Sequence, residues 1–139
     1  MVSAATMAQD HGKVDWKTDF NEAKALAKKS GKPILILFTG SDWCKPCKML
    51  KADFFNSEDF GKKANDFVML YVDFPKNRSI ITPEQFEANK KLNETYKVRG
   101  LPTVMAVDAN GEVIEKVVGY NAQRDTSRHF KFLEKVMKK

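Results

Sequence analysis

With 139 residues, 42% apolar and 30% charged, the chain has the composition of one globular domain, not of a disordered or two-domain protein. The formal net charge of +6 comes from lysines scattered along the chain, without an arginine-rich run or an aromatic RNA-binding signature, so no nucleic-acid partner is expected. Two cysteines are too few for a stapling framework, and no apolar run reaches the roughly 18 residues of a membrane span.

The opening stretch MVSAATMAQD has no apolar core of its own. Residues 1–13 are therefore expected to be a flexible tail, or the remnant of a signal peptide whose small-residue cleavage end is Thr6-Met7-Ala8. A single domain is expected over residues 14–139. Asp19-Phe20-Asn21-Glu22 has the form of a capping box and predicts a helix to about Lys29, ended by Gly31. Ile34 to Phe38 is apolar at every position, the pattern of a strand buried on both faces.

Gly40-Ser41-Asp42 breaks that strand, and both cysteines follow at a helix start that should run through Met49, Leu50, Ala52 and Phe54. A short second helix after Ser57 leads to another dense strand, Phe67 to Val72, completing a βαβ unit. Thr82-Pro83-Glu84-Gln85 carries a threonine cap, a first-turn proline and a glutamine three after the cap, predicting a helix to near Tyr96. Thr103 to Val107 is a third strand. Asp108-Ala109-Asn110-Gly111 is hairpin chemistry, and Val113 to Val118, with Glu112, Glu115 and Lys116, has the charge of an edge strand. Phe130, Leu133, Val136 and Met137 recur at helical spacing in a closing helix.

The cysteines lie in Ser41-Asp42-Trp43-Cys44-Lys45-Pro46-Cys47-Lys48. Three chemistries fit two cysteines at this spacing: a redox pair, half of a metal site, or inert core thiols. A zinc site needs about four ligands; His11 and His129 are not at finger-like spacing, so no metal is assigned. Two thiolates suit Cu(I), which leaves a copper-handling role as an alternative. Inert cysteines fit poorly beside a proline at a helix mouth.

Trp43-Cys44-Lys45-Pro46-Cys47-Lys48 after the first core strand and Arg99-Gly100-Leu101-Pro102-Thr103 before the third resemble the two motifs of the thioredoxin fold, in the family's order. The resemblance runs from about Val14 onward. The patterns KPILILFTGSDWC and VDFP are most similar to thioredoxin-like proteins of bacterial envelopes. It implies an α/β fold, with a central mixed sheet of about four to five strands flanked by helices on both faces. It also implies a thiol–disulfide oxidoreductase in the bacterial periplasm or envelope, with the cytoplasm as the alternative. No cofactor beyond the Cys44–Cys47 disulfide is expected. The partners are protein disulfide substrates and an upstream thiol reductant or oxidant, and the chain is expected to act as a monomer.

At a helix start the unsatisfied N–H groups and the positive dipole end favour the Cys44 thiolate, which makes Cys44 the exposed attacker and Cys47, one turn on, the resolving thiol. Lys45 adds a charge where archetypal thioredoxins carry glycine; solvent screens it, so its effect is expected to be modest. Pro46 stiffens the pair. Pro102 resembles the family's cis-proline, which would present the backbone of Leu101 and Thr103 for strand-like pairing with substrate. Trp43 and Tyr120 are expected to flank the groove. Two departures from the family pattern stand out. Leu37 occupies the place of a buried aspartate, and Phe74 to Thr82 is a longer connection than small thioredoxins need. Reduction of protein disulfides is the leading direction, since Pro46 and Trp43 resemble thioredoxin. Oxidation, isomerisation, or a non-catalytic partner-binding module are the alternatives.

Overall fold

The dense Ile34–Thr39 segment buries every residue, and only the middle of a sheet covered on both faces allows that. The computed structural model describes residues 14–138, so the expectation for residues 1–13 lies outside the described residues. In chain order the elements are β1 (Trp16–Lys17), α1 (Phe20–Ser30), β2 (Ile34–Thr39), α2 (Lys45–Leu50), α3 (Glu58–Lys63), β3 (Val68–Asp73), α4 (Pro83–Tyr96), β4 (Thr103–Val107), β5 (Val113–Val118) and α5 (Ser127–Met137).

The sheet order is β1-β3-β2-β4-β5. β1, β3 and β2 run parallel, whereas β4 and β5 add antiparallel, giving the expected mixed five-stranded sheet with β5 at an edge. Strand alternation divides the core. On one face Ile34, Ile36 and Phe38 join Val68, Leu70 and Val72 in a cluster with Ala23 and Ala27 of α1 and Leu92 of α4. Leu35 and Leu37 face the other way, toward Leu50 of α2, Phe60 of α3 and Phe132 of α5.

Several elements depart from the sequence expectation in instructive ways. β1 is only two residues long, pairing Trp16 and Lys17 with Met69 and Leu70, too short to leave a periodic signal. The helix after the cysteines does not stay α-helical: Lys51–Phe55 forms a π-turn, closed by Asn56 N–H donating to the Lys51 carbonyl at 2.8 Å. The wider turn lets the consecutive Phe54 and Phe55 both enter the core, at 0% and 1% exposure. In the hairpin only Gly111 takes a positive φ, 86°, while the Asp108 carboxylate accepts from the Asn110 and Glu112 N–H groups.

The caps behave as their residues dictate, with one change. Asp19 accepts from the Asn21 and Glu22 N–H groups, and Gly31 closes α1 in the left-handed region. Thr82 accepts from Gln85 N–H at 3.0 Å, but the Gln85 side chain does not return to the cap. It donates instead to the Thr18 carbonyl and to Asn89 Oδ1, and Asn89 donates to the Asp73 carbonyl. This relay, exposed at Thr18 and buried at Asn89, ties α4 to the end of β3, next to the cysteines' loop.

Candidate active site

Between β2 and α2 the chain must turn within five residues, and Ser41, Asp42 and Trp43 in that turn are anchored to the end of β3 and the loop that follows it. Ser41 N–H and Oγ both donate to the Asp73 carboxylate, at 2.8 and 2.5 Å. Asp42 accepts from the Lys76 and Asn77 N–H groups at 2.9 Å each, and these bonds hold its carboxyl below the usual carboxylate range. Trp43 Nε1 donates to the Phe74 carbonyl at 2.8 Å, and the Lys76 ammonium sits 5.2 Å over the indole. The indole lies flat against Gly40, where a Cβ would fall 2.5 Å from the ring, so only glycine fits. The connection beginning at Phe74 thus clamps the cysteines' loop, a role that the sequence did not reveal.

Cys44 is the N-cap of α2, with extended backbone, and Pro46 stands in the first turn, where no N–H is missed. Cys44 and Cys47 are joined in a disulfide, with Cα atoms 5.2 Å apart. The expected exposure of Cys44 is corrected here: joined to Cys47, it is 6% exposed against 2% for Cys47. What separates the two sulfurs is the space each borders. Cys44 lines a groove of about 660 Å³ with Trp43, Lys45, Pro46, Phe74 and Leu101. Cys47 lines a cavity of about 200 Å³ on the other side of α2, with Thr39, Ser41, Lys51 and Tyr71.

Leu37 is 2% exposed in β2, paired with Tyr71 on β3 and Val104 on β4, on the sheet face that α2 covers. An acid at that position would face the resolving side, and leucine leaves none there. Asp73, two residues beyond Tyr71 on β3, is already engaged by Ser41. Burial, and then the Asp73 charge, push the Tyr71 phenol up to about 12, so it stays protonated.

The Leu101–Pro102 peptide bond is cis. Leu101 reaches the groove wall together with Gly100, Arg99 and Val98. Pro102 is buried, and its carbonyl accepts from Gly119 N–H at 2.7 Å. Thr103 is 2% exposed, registered between Phe38 and Val118, with Oγ1 donating to the Gly100 carbonyl at 2.6 Å. Of the two residues flanking the proline, Leu101 therefore faces the groove and Thr103 belongs to the sheet.

Tyr120 is not among the groove-lining residues. It is 8% exposed, packs edge-on to His129, and donates its hydroxyl to Asp53 at 2.6 Å. Arg124, in the left-handed region, closes on the same carboxylate through two bonds of 2.7 Å. Arg124 and Tyr120 together hold the Asp53 carboxyl below its ordinary value, and burial raises the Tyr120 phenol to about 12. Since Asp53 sits on the π-turn and Tyr120 follows Gly119, this triad braces the helix behind Cys47 against the loop beside Pro102. Sequence reasoning missed Asp53, Arg124, Lys90 and Arg99 as neighbours of the site. Asp53 meets Tyr120 from the widened helical turn, and no local pattern announced it.

Among the described residues there is no group of three or more His, Cys, Asp or Glu side chains that could hold a metal ion. No helix there is long and apolar enough to cross a membrane. Residues 20–134 match the model of the thioredoxin-like domain. The chain is 35% identical over 106 residues to the disulfide bond reductase DsbH of Chlamydia pneumoniae, covering 75% of this chain and 62% of that protein. It is 26% identical over 110 residues to the thioredoxin-related protein DsbJ of the same organism, covering 78% of this chain and 31% of that protein. It therefore spans less than two thirds of the length of either relative. The solved structure of the DsbH oxidoreductase superposes with a TM-score of 0.74 at 29% identity, covering 95% of each chain. With the family's domain matched from α1 into α5, and its cysteine pair and cis-proline in place, the chain belongs to the thioredoxin-like family.

Proposed function

We propose that this chain is a thiol–disulfide oxidoreductase that reduces protein disulfides in the bacterial envelope, working as a monomer. The observation that carries the reading is the Cys44–Cys47 disulfide at the mouth of α2, bordering a groove whose opposite wall holds Leu101. The reductase name of DsbH supports the direction, and the resemblance to envelope thioredoxin-like proteins supports the location.

In the dithiol form, the Cys44 thiolate attacks one sulfur of a substrate disulfide. A bond forms between Cys44 Sγ and that sulfur, the substrate's S–S bond breaks, and its other sulfur leaves as a thiolate that takes up a proton. Cys47 then gives up its proton and attacks Cys44 Sγ. The Cys44–Cys47 bond forms, the mixed disulfide breaks, and the second substrate thiol is released. Two electrons pass to the substrate, and an upstream thiol reductant restores the dithiol. Cys44 is the attacker because it caps the helix, where free N–H groups and the dipole stabilise a thiolate. Trp43, Pro46 and Leu101 give the substrate chain an apolar bed, cis-Pro102 sets the direction of the Leu101 backbone, and Lys45 adds a screened positive charge.

Reduction of insulin by the wild-type protein with dithiothreitol, and its loss in Cys44→Ser, is the expected result; equal behaviour of the two removes the enzyme reading. Equilibration with graded glutathione ratios then measures the potential. A value near thioredoxin's, about −270 mV, supports a reductase, and one near about −120 mV makes the protein an oxidant.

A further inference from the structure

The groove at Cys44 has a composition that the redox chemistry alone does not require. Its bed is apolar: Trp43, Pro46, Phe74, Val98 and Leu101. Its polar rim is cationic. Lys45 comes from the cysteine motif, Lys90 from α4 and Arg99 from the segment before cis-Pro102, and no carboxylate lines the groove. Lys76, over the Trp43 indole, extends the positive rim. Neither Lys45 nor Arg99 is ion-paired among the described residues, and Lys90 is held only by an exposed contact of 3.9 Å with Glu87. The closest acid on the loop, Asp42, points its carboxylate at the Lys76 and Asn77 N–H groups and does not line the groove.

We infer that this groove selects its substrates by charge: it takes cystine segments flanked by Asp or Glu and carrying an apolar side chain for the Trp43–Phe74–Leu101 bed. The inference rests on the oxidoreductase reading above. Three segments distant in sequence converge their cations around one attacking sulfur, and a cleft lined by one sign of charge raises the local concentration of opposite charge and its encounter rate. Acidic residues beside the substrate cystine would meet this field in the encounter complex and in the mixed disulfide, whereas basic ones would be repelled. The effect belongs to association, so it should fall with ionic strength.

The test uses three cystine peptides of one sequence, with Glu, Gln or Lys flanking the cystine and one leucine retained. Second-order oxidation rates of the reduced protein are measured at about 20 mM and about 500 mM salt. The Glu peptide should react fastest and the Lys peptide slowest, with a spread of about tenfold or more at low salt that shrinks to about twofold at high salt. In Lys90→Gln/Arg99→Gln the Glu-to-Lys rate ratio should fall several-fold. In Lys131→Gln/Lys135→Gln, on α5 and outside the groove lining, the ratio should hold. Equal rates for the three peptides, or an unchanged ratio in the groove variant, overturn the charge selection while leaving the oxidoreductase reading intact. No exchange with any peptide, the Gln one included, overturns both.

Discussion

On its groove side, the Cys44–Cys47 disulfide meets an open, apolar bed rimmed by Lys45, Lys90 and Arg99. On its other side, Cys47 meets a cavity about a third as large, lined by Thr39, Ser41, Tyr71 and Lys51 among others. The first has room for a polypeptide segment, the second for nothing larger than a few water molecules. In the mechanism proposed above, two sulfurs in one short turn have different tasks: one exchanges bonds with a partner, and the other must shed a proton. The first task is well provisioned. The second lacks a carboxylate where β2 passes beneath α2, since Leu37 stands there.

The largest effect should come from breaking the division between the sulfurs. Cys47→Ser keeps the attacker and removes the resolver, so it should accumulate mixed disulfides with substrate and lose multiple turnover by about a thousandfold or more, since no second thiol releases the product. Non-reducing electrophoresis and mass spectrometry after incubation with a cystine peptide check this. Absence of the trapped adduct would mean that Cys44 does not attack first.

Leu37→Asp would sharpen the contrast by supplying the missing base. Turnover with a protein disulfide should rise by about an order of magnitude at neutral pH, less than the roughly hundredfold or more of an evolved general base, because the substituted carboxylate is not tuned to its site. Leu37→Asn, similar in size but without a base, should not accelerate it. Either polar group costs stability at a position only 2% exposed, so urea denaturation must show that both variants fold. An unchanged rate in folded Leu37→Asp would show that proton loss from Cys47 does not limit exchange.

A further effect, on stability and not on exchange, lies deeper on the Cys47 side. His129 is 1% exposed, packed against Phe54 and Tyr120, and neither ring nitrogen has a hydrogen-bond partner among the described residues. Burial, with the Arg128 charge second, holds its pKa down to about 4. In the unfolded chain the imidazole titrates near about 6.5, so between these values the unfolded state binds the extra proton. Its contribution is fully present above about pH 6.5 and is lost as the pH falls toward 4, by up to about 3 kcal/mol. Denaturation midpoints measured from pH 7 to 4 should decline, and His129→Phe should decline less. Parallel curves for the two proteins would contradict the assignment to His129.

Much of the fold was legible because its signals are local. The uninterrupted apolar run of β2, the aspartate cap and Gly31 stop of α1, and the proline in the first turn of α4 each express a preference that a few neighbouring residues satisfy. The cysteine pair and Pro102 were legible as motifs, and the structure places Cys44 at the helix cap and makes the Leu101–Pro102 bond cis. Tyr120 was misplaced. An aromatic residue after a glycine carries no mark of direction, and here the Asp53 carboxylate turns it inward, away from the groove.

Periodicity, caps and turn residues act over a few positions, so most element types, β1 and the π-turn excepted, and the motif that holds the cysteine pair follow from the amino acids in their order. Which distant groups meet was settled only in the folded chain. Folding set the clamp of Ser41, Asp42 and Trp43 on a loop more than thirty residues away, the bracing triad of Asp53, Tyr120 and Arg124, and the cationic rim drawn from three segments. Those contacts depend on hydrogen-bond directions and charge positions that exist only once the sheet has brought the segments side by side.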